Sequence, residues 1–384
     1  MSAPLAICVG GIGKLPYGGL TMHYVHYVLG LQELGYRVHY VERQNRPLET
    51  YDPAEDAMTD RPDFAVRYLS QVAERFGFGD RWSFIDRTGA CHGVGWKPLR
   101  AALDEADFLL TVGDPTWFDD LARCERRIFI DGDPMFTQVA FITGSGTRAQ
   151  APHHYDTLFT FAARMGMEDC LVPEGGRVWL PTRPVVATSR WSCAPPTAGT
   201  PFVALTHWAA GSEVRYAGRA FGHTDREFGR IALLPSQRQG DYVLAAGGGG
   251  MPRGTLARDG WRLVNPLRVT ATPDDYACFI AGSRADIGVA KHAYVASRSG
   301  WFSDRSTCFL ASGRPVLHQD TGYADWLPAE SGVLPFSDLE SLIDALDRLD
   351  RDYEHHARAA RRVAEEHFEA RVVIAEMLQA AGVR

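Results

Sequence analysis

The residues best suited to chemistry form a short polar stretch in the second half of the chain, Ser303-Asp304-Arg305-Ser306. Ser303 is a typical N-cap residue, so the stretch predicts the start of a helix that ends before Gly313. The first turn of a helix presents unpaired backbone N–H groups and the positive end of the helix dipole, which together suit a phosphate group. Arg305 and the two serine hydroxyls would add hydrogen bonds to a diphosphate. The alternative is an ordinary capped helix with Arg305 in a surface ion pair.

An alternation of strands and helices must position this stretch. At the start of the chain, residues 3–9 predict a buried strand, and the glycine-rich residues 10–19 predict a turn. Residues 20–34 carry apolar side chains at helical spacing, and Gly35 stands where a left-handed cap would end that helix. Residues 36–41 predict a second strand. This right-handed βαβ unit indicates a parallel sheet with helices on both faces.

A proline-rich segment separates this first domain from a second domain of the same type. Residues 171–201 contain six prolines and few helix formers, which is typical of an interdomain linker. Strand signals resume at Phe202. We therefore predict an α/β chain of two Rossmann-like parallel-sheet domains that face a cleft, at residues 1–185 and 186–366, followed by a final helix at 367–384.

Composition and charge narrow the classes of function. The 384 residues are 45% hydrophobic and 23% charged, which is typical of a globular protein. The formal net charge of -7 argues against a nucleic-acid partner and against docking on anionic lipid. We find no apolar run long enough for a membrane span and no signal peptide. The seven scattered cysteines form no C-x-x-C pair, so we expect a cytoplasmic protein with neither a disulfide framework nor a metal site.

Several motifs of the chain resemble the glycosyltransferases of the GT-B fold, in a little-studied bacterial branch that is similar to the group 1 enzymes. The segment Ala311-Ser312-Gly313-Arg314-Pro315-Val316 resembles part of their nucleotide-sugar site, and residues 299–306 resemble the stretch before it. Gly18 and Gly19, before the first helix, resemble their first βαβ unit. The resemblance implies that the first domain faces the acceptor, that the second binds the nucleotide sugar, and that the last helix packs back on the first domain.

One feature of that family is missing from the chain. Many retaining members carry two glutamates eight residues apart, at positions that correspond to Gly300 and Cys308 here. The glutamate that usually grips the ribose hydroxyls is therefore absent. Asp304 lies one helical turn before Cys308 and on the same face, so we expect it to reach the same hydroxyls.

The resemblance implies further contacts to the donor. The amide of Gln319 and the carboxylate of Asp320 suit sugar hydroxyls, although Asp320-Thr321-Gly322 is also a typical turn sequence. Arg284 or Lys291 would neutralise a pyrophosphate leaving group, unless each lies at the surface. The indole of Trp208, which follows His207, would stack on a base or sugar, or fill the domain interface. The predicted donor-binding residues are Gly18, Gly19, His207, Trp208, Arg284, Lys291, Ser303, Asp304, Arg305, Ser306, Gln319, Asp320, Thr321 and Gly322.

Sugar transfer to a hydroxyl or amine needs a base that takes the proton of the acceptor in an inverting reaction. In this fold the base comes from the first domain. The candidates are Asp131, Asp133 and Asp114, which follow predicted strands, and His23 on the first helix, with His26 on the same helical face. We rank Asp131 and His23 first. Asp133 and Asp114 each precede a proline, so they could equally cap a helix or seat a turn.

The resulting hypothesis is a metal-independent glycosyltransferase. It would move a sugar from a nucleotide-diphosphate sugar to a hydroxyl or amine of a small-molecule or glycan acceptor, with no cofactor beyond that co-substrate. One alternative is a nucleotide-sugar 2-epimerase of the same fold, and a weaker one is a non-catalytic nucleotide- or sugar-binding protein. A Rossmann dehydrogenase is disfavoured because the motif G-x-G-x-x-G is absent after the first strand.

Overall fold

Two parallel β-sheets, one in each half of the chain, organise the fold. The computed structural model describes residues 3–197, 199–209 and 213–383. The first half contains β1 (Leu5–Val9), α1 (Gly18–Glu33), β2 (Arg37–Arg43), β3 (Thr50–Asp52), β4 (Ala57–Thr59), α2 (Asp63–Arg75), β5 (Trp82–Ile85), β6 (Cys91–Gly93), α3 (Trp96–Glu105), β7 (Phe108–Val112), β8 (Arg127–Asp131), α4 (Phe136–Thr143), α5 (Ala151–His154), β9 (Thr157–Thr160) and β10 (Leu180–Pro181).

The second half repeats the alternation. It contains β11 (Phe202–His207), β12 (Val214–Tyr216), β13 (Arg219–Phe221), α6 (Thr224–Phe228), α7 (Leu234–Gln237), β14 (Tyr242–Gly247), α8 (Arg253–Arg258), β15 (Arg262–Val264), α9 (Pro266–Val269), α10 (Pro273–Ala281), β16 (Ala285–Gly288), α11 (His292–Ala296), α12 (Asp304–Ala311), β17 (Val316–Gln319), β18 (Val333–Phe336), α13 (Leu339–Arg351), α14 (Tyr353–Val363) and α15 (Ala370–Ala380). We call the elements β1 to β10 the first lobe and the elements β11 to α14 the second lobe.

The first sheet has eight strands in the order β10-β9-β8-β7-β1-β2-β5-β6. Its neighbouring strands run parallel except for β5 and β6. The central strand β1 is buried along its whole length because helices cover both faces of the sheet. The strand order reverses between β1 and β7, so the carboxyl ends of these two strands open toward a binding region.

The second sheet has six parallel strands in the order β15-β14-β11-β16-β17-β18. This is the doubly wound order of a Rossmann fold, with its reversal between β11 and β16. Ligands of such sheets bind beyond the carboxyl ends of the strands that flank the reversal. The α/β class with two Rossmann-like sheets, predicted from the sequence, is confirmed.

The last helix, α15, leaves the second lobe and packs on α1 of the first. Gly30 makes the close approach possible, since a Cβ at this residue would lie 2.6 Å from Ile374 Cδ1. The backbone of Val186 pairs with Glu369 beside this contact, so the chain crosses between the lobes twice at one place. The boundaries 1–185, 186–366 and 367–384 stay a prediction.

Most of the predicted elements are present with ends shifted by one to three residues. Asp338 is the N-cap of α13, and its carboxylate accepts a hydrogen bond from the Ser341 backbone N–H at 2.9 Å. Within the described ranges, the structure contains no helix long and apolar enough to cross a membrane.

Candidate active site

A cleft of about 730 Å3 lies between the two lobes. Its floor on the side of the second lobe is made by the carboxyl ends of β11 and β14, next to the point where the strand order reverses. Its opposite wall is α1, and the first turn of α12 closes one end. The cleft lies where the topology of the second sheet places a ligand.

The helix predicted from Ser303 onward is present and opens on this cleft. Ser303 is its N-cap, and its hydroxyl accepts a hydrogen bond from the Ser306 backbone N–H at 3.4 Å. Asp304 and Arg305, the first two residues of the helix, line the cleft together with Cys308. The side chains of Asp304 and Arg305 in the first turn of α12 therefore reach the cavity, whereas Ser303 is buried and does not line it, contrary to its predicted donor contact.

Arg305 presents an incompletely bonded cation at that end of the helix. Its Nη2 lies 3.5 Å from Asp286 Oδ2, and the buried Nε has no hydrogen-bond partner among the described residues. Asp286 is fully buried, and burial raises the pKa of its carboxyl despite the nearby guanidinium. The predicted hydroxyl contact from Ser306 is wrong, because the Ser306 side chain points inward and donates to Asp286 at 2.7 Å.

A histidine–aspartate pair spans the cleft. His23 on α1 lies with its Nδ1 3.0 Å from Asp304 Oδ2 on α12. Burial raises the pKa of Asp304, but the hydrogen bond and charge of His23, with Arg305, outweigh it and hold the value at about 2. The carboxylate is thus ionised near neutral pH, and it favours the imidazole tautomer with its proton on Nδ1. The first lobe supplies the histidine and the second supplies the carboxylate.

His26 lies on the same face of α1, but its side chain is already hydrogen-bonded within the protein. It is buried, and its Nε2 accepts a hydrogen bond from Trp191 Nε1 at 3.2 Å. Burial lowers the pKa of His26 to about 3, so its ring stays neutral. Of the two helical histidines, His23 is the one that lies beside a carboxylate.

Two other predicted donor residues line the cleft, and several lining residues were missed. Gly19 and the exposed His207 belong to the lining, and their donor contacts stay a prediction. Arg253 and the segment 263–267, which begins within β15, were not predicted. The signal for that segment was its Asn265-Pro266 pair directly after a strand, because Asn265 caps α9 by accepting from the Leu267 backbone N–H at 3.0 Å.

Gly18 has a structural role instead of a donor contact. Its backbone N–H donates to the Thr270 carbonyl at 2.6 Å. A Cβ at Gly18 would lie 2.1 Å from the Thr272 carbonyl oxygen, so the absence of a side chain lets α1 reach the backbone of the second lobe. We correct its assignment from donor binding to contact between the lobes.

The turn after β17 is sealed rather than open to a donor. Gln319 is buried and donates to Glu227 at 2.6 Å, while Asp320 accepts from the Gly322 backbone N–H at 2.8 Å. Thr321 donates to the Trp301 carbonyl at 2.5 Å. None of the residues 319–322 lines the cleft, so their predicted contacts with sugar hydroxyls are wrong and the turn interpretation applies.

Trp208 and Arg284 also lie away from the cleft. The Trp208 indole packs on Phe228 in the core of the second lobe, because the strand before it directs this side chain toward that core. Arg284 binds Asp350 with Nε 3.0 Å from Oδ1 and stacks over Tyr353. Both predicted donor contacts are therefore wrong.

Asp131 is buried, and its carboxylate is hydrogen-bonded to side chains of its own lobe. Its carboxylate accepts hydrogen bonds from Thr137 at 2.7 Å, Gln138 at 2.7 Å and Thr160 at 2.9 Å. Burial raises the pKa of this carboxyl, yet the residue has no exposed surface through which a substrate could reach it. The structure does not support our first-ranked carboxylate as the base.

Asp133 joins the two lobes. Its carboxylate lies 2.7 Å from Lys291 of the second lobe and 2.7 Å from Arg148 of the first, and it accepts from Tyr294. Burial works to raise the pKa of Asp133, but the two cations hold it well below its usual range. Lys291 is thus a partner of Asp133 and does not line the cleft, contrary to its predicted role.

Asp114 lines a separate cavity of about 330 Å3 in the first lobe. Its carboxylate lies 3.8 Å from Lys14 and 3.5 Å from Arg46, and Lys14 also pairs with Glu49 at 3.3 Å. This cavity lies at the carboxyl ends of β1 and β7, beside Tyr24 of α1. It adjoins the region that the first sheet opens for a ligand.

Across residues 3–197, 199–209 and 213–383, no group of three or more His, Cys, Asp or Glu side chains is placed to hold a metal ion. The charged groups that line the cleft are side chains, together with the amino end of α12.

Comparisons with known proteins agree with this architecture. Neither a protein-family model nor a curated protein sequence matches the chain. Among solved structures, an α-glucosyltransferase in complex with UDP and DNA aligns over 100% of both chains with a TM-score of 0.60 at 10% identity. Anabaena Alr3699/HepE in complex with UDP and glucose aligns over 98% of this chain and 100% of that chain, with a TM-score of 0.58 at 11% identity.

At these identities the likeness shows the fold: two Rossmann-like lobes that face each other across a cleft. The chain has the GT-B fold, as the resemblance implied.

Proposed function

We propose that the protein is a glycosyltransferase that takes a sugar from a nucleotide-diphosphate sugar bound in the cleft between the lobes. The observation that carries the proposal is the amino end of α12, which opens on the cleft with Arg305 beside it. The positive end of the helix dipole and the guanidinium would both attract a diphosphate. The solved structures of the same fold that contain UDP support this choice of ligand.

The remaining wall of the cleft suits a nucleoside. The side chains of Leu263, Val264, Pro266 and Leu267 give it an apolar surface. Asn265 supplies polar atoms within that wall. Sites for small organic ligands are lined in this way, with mostly apolar walls and a few polar groups that fix orientation. We therefore propose that the base lies over residues 263–267 and the diphosphate at Arg305.

His23 is the proposed base. Asp304 holds its Nδ1, which leaves the Nε2 lone pair available for the proton of an acceptor hydroxyl or amine. The imidazole gains charge when it takes that proton, and the adjacent carboxylate stabilises the charged form. The acceptor, a small molecule or a glycan, would approach from the first lobe, where the cavity beside Asp114 and Lys14 lies. We propose that no metal takes part and that the protein acts in the cytoplasm.

The epimerase alternative fits the cleft less well. An enzyme that moves a proton or a leaving group within one sugar needs several carboxylates around it, whereas the lining contains only Asp56 and Asp304. Asp304 is already paired with His23. Incubating the protein with UDP sugars and no acceptor distinguishes the two, since conversion to the C2 epimer by NMR would overturn the transferase proposal.

Nucleotide binding provides the direct test. UDP at about 100 times its Kd should stabilise the native protein by about 2.7 kcal/mol, which raises the unfolding midpoint by several degrees, while NAD should not.

Arg305→Gln should lose about 10- to 100-fold in UDP affinity by calorimetry, since a charge-assisted hydrogen bond contributes about 1.5–3 kcal/mol. Arg258→Gln, which changes an exposed arginine at the end of α8, is the matched control. Stabilisation by NAD but not by UDP, or equal UDP affinity in both variants, contradicts the proposal. If EDTA abolishes sugar transfer, the proposal that no metal takes part is contradicted.

A further inference from the structure

A second large cavity, of about 770 Å3, lies on the far side of the second lobe. Residues 193–197 of the linker form one wall and α14 forms the other, and we call this space the linker cavity. It adjoins Gly313 and Arg314, after the carboxyl end of α12, whereas the donor cleft lies at the amino end of that helix. Eight helical residues separate the two ends by about 12 Å, so the cavities are distinct. A volume of this size accommodates a small organic molecule.

The lining of the linker cavity is strongly basic, in a protein whose net charge is negative. Five arginines and a single carboxylate, Glu354, contribute to it. Asp350 neutralises Arg284, and Glu365 neutralises Arg361. Glu354 lies 3.5 Å from the exposed Arg358. The two that are left, Arg314 and Arg362, have no carboxylate partner among the described residues.

Arg314 is the more informative of these two. Its side chain is buried, with 2% of the residue exposed, and Nη1 and Nη2 donate to the carbonyls of Ala194 at 2.9 Å and Ala281 at 2.7 Å. Its Nε is buried with no hydrogen-bond partner. Burial lowers the pKa of the guanidinium, and no carboxylate among the described residues lies within ion-pair distance of it. A buried cation without a counter-ion is costly, and that cost falls if a ligand supplies the anion.

The other walls of the linker cavity are apolar. Pro195, Pro196, Ala357 and Tyr353 all line it. A simple inorganic ion would leave these surfaces unused, while a ligand with an apolar body would cover them. We propose that the linker cavity binds an organic phosphate, whose phosphoryl group pairs with Arg314 and Arg362 while its apolar part lies on the two prolines. The shared chemistry is a phosphoryl group on an apolar body, which a soluble phosphate ester or a phospholipid headgroup could provide.

Cys193 lines the cavity and is exposed, so its thiol reports on occupancy. The experiment follows alkylation of the full chain by iodoacetamide, with peptide mass spectrometry, in the presence of phenyl phosphate, inorganic phosphate or benzyl alcohol. If the occupied cavity is unreactive, phenyl phosphate at about ten times its Kd slows modification of Cys193 about tenfold. Inorganic phosphate should protect only at higher concentration, and benzyl alcohol should not protect. Cys278, exposed on α10, should react at the same rate throughout and serves as the internal control.

Charge variants test whether the protection of Cys193 depends on the arginines of the linker cavity. Arg314→Met and Arg362→Glu should each abolish protection by phenyl phosphate, whereas Arg371→Glu, on the exposed face of α15, should leave it intact. Arg362 is exposed, so its variant carries the test even if Arg314→Met fails to fold. Equal protection of Cys193 and Cys278, or protection that survives both cavity variants, overturns the proposal.

Vesicles separate the two sources of the phosphoryl group. Sedimentation with phosphatidylglycerol vesicles but not with phosphatidylcholine vesicles, lost in Arg362→Glu, identifies a phospholipid headgroup. Protection by phenyl phosphate without such sedimentation identifies a soluble ester. No protection by phenyl phosphate, together with no sedimentation that depends on Arg362, contradicts both.

Discussion

A graded series of glycine substitutions tests whether the lobes meet as the structure shows. A methyl group at Gly18 would lie 2.1 Å from the Thr272 carbonyl oxygen, a backbone atom that cannot rotate away. At Gly19 it would lie 3.4 Å from the Tyr276 ring, which is ordinary contact, and at Gly249 it would meet nothing within 4 Å. The three sites therefore offer a severe clash, a tolerable contact and open space.

The expected magnitudes follow from these distances. Overpacking of this kind costs about 1–3 kcal/mol, so Gly18→Ala should lower the free energy of unfolding by that amount. Gly19→Ala should be neutral or slightly stabilising, because alanine favours a helix over glycine by up to about 1 kcal/mol. Gly249→Ala should match the parent. If the strain is relieved by opening the cleft, UDP affinity in Gly18→Ala should fall about 5- to 150-fold, since about 1.4 kcal/mol is a factor of ten.

Two measurements read out this series. Urea unfolding gives the free energy, and calorimetry with UDP gives the affinity, for the parent and the three variants under one buffer. The stability readout does not depend on the proposed function, because it reports the contact between the lobes alone. If Gly18→Ala unfolds at the same urea concentration as Gly249→Ala and binds UDP as the parent does, α1 does not approach the Thr272 backbone in solution, and our account of the cleft is wrong.

Three further predictions concern charged groups. His23→Gln should reduce release of UDP from a UDP sugar by about 10²- to 10⁴-fold with UDP affinity retained, since this is the range for loss of a general base; a fall in affinity alone would contradict the role. Lys291→Met removes one of the two cations on Asp133 and should lower the unfolding midpoint, and an unchanged midpoint would show that the pair does not join the lobes. Burial works to raise the pKa of Asp86, but hydrogen bonds, led by that from His92, hold it at about 2, below the value of about 3.9 in an unfolded chain. The carboxylate therefore stabilises the fold above pH about 4, by about 2 kcal/mol, and this contribution disappears as the pH falls toward 2. Urea unfolding of Asp86→Asn should show a deficit near neutral pH that shrinks in acid, and a constant deficit would refute the assignment.

The fold could be predicted because its signals are local. The apolar run of β1, the glycine that ends α1 and the proline-rich linker each fix an element or a boundary within a few residues of sequence. Doubly wound sheets then follow from right-handed crossovers, which leave few topologies to choose among. The end of α12 was predicted for the same reason, since Ser303 and the residues after it carry the N-cap signal by themselves.

The site could be predicted only in part, because the depth of a side chain depends on long-range packing. Asp131 ends β8 and Asp133 lies two residues beyond it, yet Asp131 is enclosed by polar side chains of its own lobe and Asp133 binds a lysine of the opposite lobe. Gln319 has the chemistry of a sugar ligand, but Glu227, ninety-two positions away, takes its amide. No spacing rule reports such partners. The segment 263–267 was missed because apolar cleft walls look like core in a sequence.

Asp304 shows how one carboxylate can serve two partners. It was predicted to replace the missing ribose-binding glutamate, and in the structure its Oδ2 faces His23 instead. A carboxylate has two oxygens, each able to accept two hydrogen bonds, and 40% of this side chain remains exposed. The exposed part of the carboxylate can therefore accept from a ribose hydroxyl while Oδ2 holds the imidazole. If both contacts form, donor binding orders the residue that positions the base. Asp304→Asn should then weaken UDP binding and slow transfer together, whereas His23→Gln slows transfer alone.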